Sequence, residues 1–235
     1  MVQSDAEGDF FDVLFVCTGN ICRSPLAEQL FRSQTRSMSD LVSTRSAGTH
    51  ALTGRPMTSE AAFLSQALGG DPSDHMARDL TTEGVQRADL ILVAAREHRA
   101  AVVSLVPRAS RKTFTLREFQ RLLETHAERT PRAQACPRKR NREGLGGFIA
   151  DVSSMRGLSR VVRRPGDDDI VDPYRRSFET YEEAGQLILS AVTEVSRNLQ
   201  AATGLAPVPI HNETLRNSNL ATRPTRFRSN HAGEQ

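Results

Sequence analysis

With 235 residues, the chain is long enough for one well-buried domain plus some tens of residues of insertion or tail. Its 31 basic and 28 acidic side chains nearly cancel to +3, which excludes the concentrated basic face of a dedicated nucleic-acid binder. The three cysteines form no even disulfide framework and fit a reducing compartment where thiols are kept for chemistry.

Met1 to Asp9 is acidic and polar, where a secretory signal needs a basic start and an apolar run. It reads as a disordered amino terminus (1–9). Phe11 to Val16 is a compact apolar run ending at Cys17, followed by a polar, glycine-containing loop and an amphipathic stretch with Pro25 in its first turn. The pattern predicts strand, loop, helix, with Leu26, Leu30 and Phe31 on one helical face. Further along, a strand is expected near Leu41 to Ala47, a helix near Thr58 to Leu68, a strand at Leu90 to Ala94, a short helix after Glu97 and a fourth strand at Lys112 to Leu116. Alternating strands and helices imply an α/β fold, a parallel sheet covered on both faces with its ligands beyond the carboxyl ends of the strands.

Glu118 to His126 has a helical pattern. A proline- and arginine-rich surface insertion follows at about 127–143, carrying Cys136, Arg138, Lys139, Arg140 and Arg142. Leu145 to Met155 predicts a short helix, Arg163 to Asp169 a charged loop, and Phe178 to Leu199 a strongly amphipathic helix. Residues 10–200 then form the domain and 201–235 a disordered tail. The apolar runs are too short to span a bilayer, so no membrane insertion and a cytoplasmic location are expected.

The chemistry concentrates in Cys17-Thr18-Gly19-Asn20-Ile21-Cys22-Arg23-Ser24. A loop of this length between a strand and a helix start can curl its amides inward into an anion nest, reinforced by the helix amino terminus. A thiol at its start has its thiolate stabilised, which makes Cys17 a candidate nucleophile. Arg23 at the far end can clamp two phosphoryl oxygens. Ser24 can donate to the sulfur, and Asn20 tolerates left-handed backbone and can brace the loop.

Val16 to Glu28, VCTGNICRSPLAE, resembles the signature of the low-molecular-weight protein tyrosine phosphatases. The resemblance implies a flavodoxin-like, three-layer fold with a four-stranded parallel sheet, and hydrolysis through a phosphocysteine without metal or cofactor. It implies that Asp172, in Ile170-Val171-Asp172-Pro173-Tyr174, is the general acid, and that Ser46 and His75 hydrogen-bond the Asn20 side chain. Asp167, Asp168 and Asp169 are left without a role as a solvated acidic run. Leu52 and Tyr174 are expected to wall a cleft for a flat phenol, and Arg175, where some members carry a second aromatic, points to acidic or doubly phosphorylated peptides. Ile21 stands where relatives acting on phosphoarginine carry threonine, which favours an aryl ring. Cys22 reads two ways: a redox guard that pairs reversibly with Cys17, or a small loop residue.

The implied partner is a phosphotyrosine protein, such as a bacterial tyrosine autokinase, acted on by a monomer. Two rivals are a thiol-coupled arsenate reductase, which would need further cysteines after the third strand where Leu90 to Ser104 has none, and a non-catalytic phosphopeptide binder.

Overall fold

Strand β1 (Phe11–Cys17) is buried along its whole length, which is why its sequence is continuously apolar rather than alternating. It lies between β2 (Val42–Gly48) and β3 (Leu90–Val93), with β4 (Thr113–Thr115) beyond β3; the order is β2-β1-β3-β4 and every pairing is parallel. The computed structural model describes residues 10–130, 138–158, 164 and 166–206.

The pleat sorts side chains into two cores. Phe11, Val13, Phe15, Leu90, Leu92 and Phe114 point to one face and Leu14, Val16, Ile91 and Val93 to the other. The first face is covered by α1 (Arg23–Gln34), α5 (Leu116–Arg129), α6 (Arg142–Ser154) and α7 (Phe178–Ala202), with α2 (Ser59–Ala67) packed on α1 and α7. Val85 of α3 (Thr82–Arg87) and Val102 of α4 (Arg96–Leu105) cover the second. Leu30 and Phe31, on the buried side of α1, are wholly enclosed, each worth roughly 1.5–3 kcal/mol of apolar burial.

Local signals set the helix starts. The Thr115 hydroxyl accepts from the Glu118 amide while Glu118 accepts from the Thr115 amide, a capping box that launches α5 directly from β4. Thr58, Thr81 and Asn141 cap α2, α3 and α6 in the same manner through one side-chain bond each.

The expected strands and longer helices form, with ends shifted by a few residues. Helix α5 runs to Arg129, and α6 starts at Arg142, where the Asn141 cap rather than the first apolar residue decides its start. Helix α3, six residues with Val85 as its one buried apolar anchor, was not expected from so weak a pattern. The basic stretch is less free than its composition suggests. Arg138 pairs with Asp151, Arg140 with Asp40 and Arg142 with Asp89, so three of its cations hold the fold together. Of the segments expected to be disordered, 1–9 and 207–235 lie outside the described residues, as does Cys136; the expected tail begins too early at 201, since α7 continues to Ala202 and Leu205 packs on the core. Among the described residues no helix is long and apolar enough to cross a membrane.

Candidate active site

Register places the site. Cys17 pairs with Gly48 and Val16 with both Ala47 and Val93, so β1, β2 and β3 end level and their following loops share one edge of the sheet. Cys17 is the last residue of β1 and Arg23 the first of α1, with the intervening loop folded at the helix amino terminus. Gly48 admits that loop: a Cβ there would lie 2.4 Å from the Thr18 carbonyl oxygen.

Asn20 organises the loop. Its backbone is left-handed, with φ of 54°, and its side chain is fully buried. The amide nitrogen donates to Ser24 Oγ and Ser46 Oγ, both at 2.9 Å, and Oδ1 accepts from the Arg78 amide at 2.9 Å. Ser24, already an acceptor from Asn20, has its own hydrogen available to a thiolate at Cys17 Sγ, 2.9 Å away, with the Ala47 carbonyl a longer alternative at 3.4 Å. Ser46 turns its hydrogen to Glu28 at 2.5 Å, and Glu28 is held in turn by Arg32. Ser46 therefore bonds the Asn20 side chain as anticipated. His75 does not: its Nε2 meets the Asn20 backbone carbonyl at 2.7 Å, while the side-chain oxygen accepts from the Arg78 amide. Burial pushes the His75 imidazole below its ordinary pKa, and a carbonyl can only accept, so the neutral ring carries its hydrogen on Nε2.

Arg23 is buried to 4% exposure and spans the site. Nη1 donates to the Ile170 carbonyl at 3.1 Å, and Nη2 pairs with Asp172 at 2.8 Å and reaches Thr18 Oγ1 at 3.4 Å. Its Nε is buried with no partner among the described residues. The loop carrying Asp172 is pinned from behind. The Ile170 amide donates to the Ala94 carbonyl at the end of β3, and Asp169 accepts from both the amide and the guanidinium of Arg96. Burial works against charge on Asp169, but the Arg96 hydrogen bonds outweigh it and hold the carboxyl below its ordinary range. Asp168 pairs with Arg121. Two of the three aspartates read as a solvated run are thus the anchors of the Asp172 loop, a role that depends on partners some fifty and seventy positions away.

His98, in the first turn of α4, was not singled out from the sequence. It is 1% exposed, and its Nε2 lies 2.9 Å from Thr18 Oγ1. Burial, and then the nearby Arg23 charge, push its imidazole down to about 4, so it is neutral in the fold. Cys22 is buried as well. Burial pushes its thiol up to about 11 against weak contacts to Thr58 and Tyr181, and it stays protonated at neutral pH.

Cys17, Arg23 and Asp172 border one cavity of about 200 Å³, walled by Ile21, Leu52 and Tyr174, with Thr18, Gly19 and Cys22 also on its surface. Leu52 and Tyr174 are each 40% exposed at the mouth. Among the described residues no group of three or more histidines, cysteines or carboxylates is placed to hold a metal ion.

A strand-loop-helix turn with a thiol and a guanidinium at its two ends, set on a four-stranded parallel sheet, defines the architecture of a thiol-dependent phosphoryl-transfer enzyme. Residues 12–131 match the family model for low molecular weight phosphotyrosine protein phosphatase, and the chain belongs to that family of phosphoric monoester hydrolases. The low molecular weight protein-tyrosine-phosphatase Etp of Escherichia coli is 39% identical over 109 residues, 46% of this chain and 71% of that one. The probable low molecular weight protein-tyrosine-phosphatase EpsP of Ralstonia nicotianae is 30% identical over 180 residues, covering 77% of this chain and 90% of its own. The protein-arginine-phosphatase of Bacillus subtilis is 37% identical over 110 residues, 46% of this chain and 71% of that one. Among solved structures, the low molecular weight protein tyrosine phosphatase from T. tengcongensis superposes with a TM-score of 0.56 at 28% identity, over 80% of this chain and 99% of that one.

Proposed function

We propose that the chain removes phosphate from tyrosine in proteins, with Cys17 as nucleophile, Arg23 as clamp and Asp172 as general acid. The observation that carries this reading is the buried, unpartnered Nε of Arg23, in a cavity that Arg23 and Cys17 both line. A guanidinium donor left open at 4% exposure is costly, roughly 1–3 kcal/mol, unless an anion takes it up. A phosphoryl oxygen supplies that anion.

In the first step the Cys17 thiolate attacks phosphorus; the S–P bond forms as the P–O bond to the phenol breaks, and Asp172, displaced from Arg23 by the phosphoryl group and protonated from solvent, gives that proton to the departing oxygen. Arg23 and the loop amides hold the equatorial oxygens as charge gathers on them. In the second step Asp172 takes a proton from water, which attacks the cysteinyl phosphate and releases inorganic phosphate. The sulfur leaves as a thiolate that accepts the Ser24 hydrogen bond. Asn20, Ser46, His75 and Glu28 keep the loop in shape for both steps.

Ile21, Leu52 and the Tyr174 ring give the cavity apolar walls that suit a phenol ring, and Ile21 brings no hydroxyl to meet a guanidinium; this favours phosphotyrosine over phosphoarginine. The phosphoprotein would be a bacterial tyrosine autokinase or a similar tyrosine-phosphorylated protein, and the chain would act as a monomer. Arsenate reduction would need cysteines beside the site; Leu90 to Ser104 has none, and the Cys22 thiol is buried and protonated.

The test is hydrolysis of paired phosphotyrosine and phosphoarginine peptides in the presence of EDTA, by wild type and Cys17→Ser. Release from phosphotyrosine by the wild type alone is expected. Equal or greater release from phosphoarginine, or activity retained by Cys17→Ser, overturns the reading.

A further inference from the structure

Most of the arginines that tie the fold together have a carboxylate partner: Arg32, Arg45, Arg87, Arg96, Arg121, Arg138, Arg140, Arg142 and Arg156 all do. Three arginines adjoin the residues at the cavity mouth. Arg175 and Arg176 directly follow Tyr174 on one wall, and Arg55 follows Leu52 by three residues on the other, its amide bonded to the Leu52 carbonyl at 3.0 Å. All three are exposed, and none pairs with a carboxylate among the described residues. The carboxylates of the same loops are otherwise engaged: Asp172 with Arg23, and Asp79, across from Gly48, with the Thr53 hydroxyl at 2.6 Å.

Backbone geometry presents the charge. Arg175 has φ of 61°, a left-handed conformation costly for a residue with a long side chain. The reversal there is closed by the Arg176 amide on the Pro173 carbonyl at 2.9 Å, and it lays the Arg175 guanidinium over the Tyr174 ring, 5.2 Å from its centroid. A stacked guanidinium has less freedom to lose when it meets an acceptor, and its fork matches carboxylate and phosphate alike. One cation is therefore held on the ring of Tyr174, with a second next to it in sequence and a third three residues from Leu52, Tyr174 and Leu52 both being exposed at the cavity mouth.

We propose that this rim selects phosphotyrosines flanked by anionic residues, with Arg175 and Arg176 as the specificity-determining pair and Arg55 as a weaker contributor. The inference rests on the phosphotyrosine reading of the same site. Exposed pairs of this kind contribute modestly, so each anionic flank is expected to raise kcat/KM by roughly two- to fivefold, with the advantage shrinking as salt rises.

The experiment compares peptides carrying one phosphotyrosine between Asp/Glu, Asn/Gln or Lys flanks. Wild type is set against Arg175→Asn/Arg176→Gln and Arg175→Asp/Arg176→Asp; asparagine and aspartate are chosen because they tolerate the left-handed backbone. Binding of the same peptides to Cys17→Ser, followed by fluorescence anisotropy, runs in parallel. Wild type should rank acidic over neutral over basic, the first variant should flatten that ranking, and the second should reverse it. Equal treatment of the three peptides by wild type, or an acidic preference kept by Arg175→Asn/Arg176→Gln, overturns the proposal. Failure of the phosphotyrosine reading would look different: no peptide would be hydrolysed by wild type, whatever ranking the binding shows.

Discussion

Asp172 and Arg23 are ion-paired at 2.8 Å across the cavity mouth, the acid 53% exposed and the guanidinium buried. An incoming phosphoryl group that takes the Nη2 donor must turn the carboxylate away from it. The clamp and the acid are thus joined before substrate arrives and parted by it.

Replacing Asp172 by Asn removes both the proton donor and the competitor for Arg23. Turnover of phosphotyrosine should fall by roughly 10²–10⁴, the usual worth of a positioned acid. Inorganic phosphate should inhibit the variant at equal or lower concentration than wild type. Weaker inhibition would mean that the carboxylate assists anion binding instead of opposing it.

Ser24→Ala leaves the Cys17 sulfur without its 2.9 Å donor and Asn20 with one acceptor fewer. The step that expels sulfur from the cysteinyl phosphate should slow most. With p-nitrophenyl phosphate, stopped-flow traces should show a larger burst followed by a steady rate lower by about tenfold, the effect of losing one hydrogen bond to a charged group. A slower burst with an unchanged steady rate would place the role of Ser24 in the first step.

His98 links solution pH to stability. Its imidazole is held neutral down to about 4, below its ordinary 6.5, so the unfolded chain binds this proton first. As pH falls from about 6.5 toward 4, the group costs the fold up to about 3 kcal/mol; below that range both states are protonated and the cost no longer grows. His75 is shifted the same way, so the informative quantity is the difference between wild type and His98→Gln. Urea midpoints at pH 7 and pH 4.5 should show wild type losing more stability than the variant. Parallel losses would remove His98 as the cause.

Cys22 should be a quiet thiol. Burial pushes it up to about 11, so in Cys17→Ser/Cys136→Ser alkylation by iodoacetamide at pH 7.5 should be slow and should quicken as pH approaches 11. Rapid modification at neutral pH, read by mass spectrometry, would show a thiolate there and restore a redox role.

Much of this site is local, and local features are legible. Cys17, Asn20, Arg23 and Ser24 lie within eight residues, and their spacing between an apolar strand and a helix start dictates a nest before any tertiary contact forms. The sheet was legible for a similar reason: β1 and β3 are buried on both faces and read as short, uniform apolar runs. Helix α3 escaped because one anchored valine makes no periodicity.

What tertiary structure alone decided is which distant side chains complete the nest. Glu28 left a trace, a carboxylate within the buried run of α1, but its partner Ser46 lies on another strand. Asp169 resembles its neighbours Asp167 and Asp168 until Arg96 comes into reach, and His98 is an ordinary histidine until α4 sets it against Thr18. His75 illustrates the limit most simply: the chain shows a histidine able to bond Asn20, while only the fold sets it against the backbone carbonyl of Asn20 and leaves the side-chain oxygen to Arg78. Spacing along the chain fixes chemistry that depends on neighbours in sequence; hydrogen-bond partners across β1, β2 and β3 depend on register, which only the packed sheet sets.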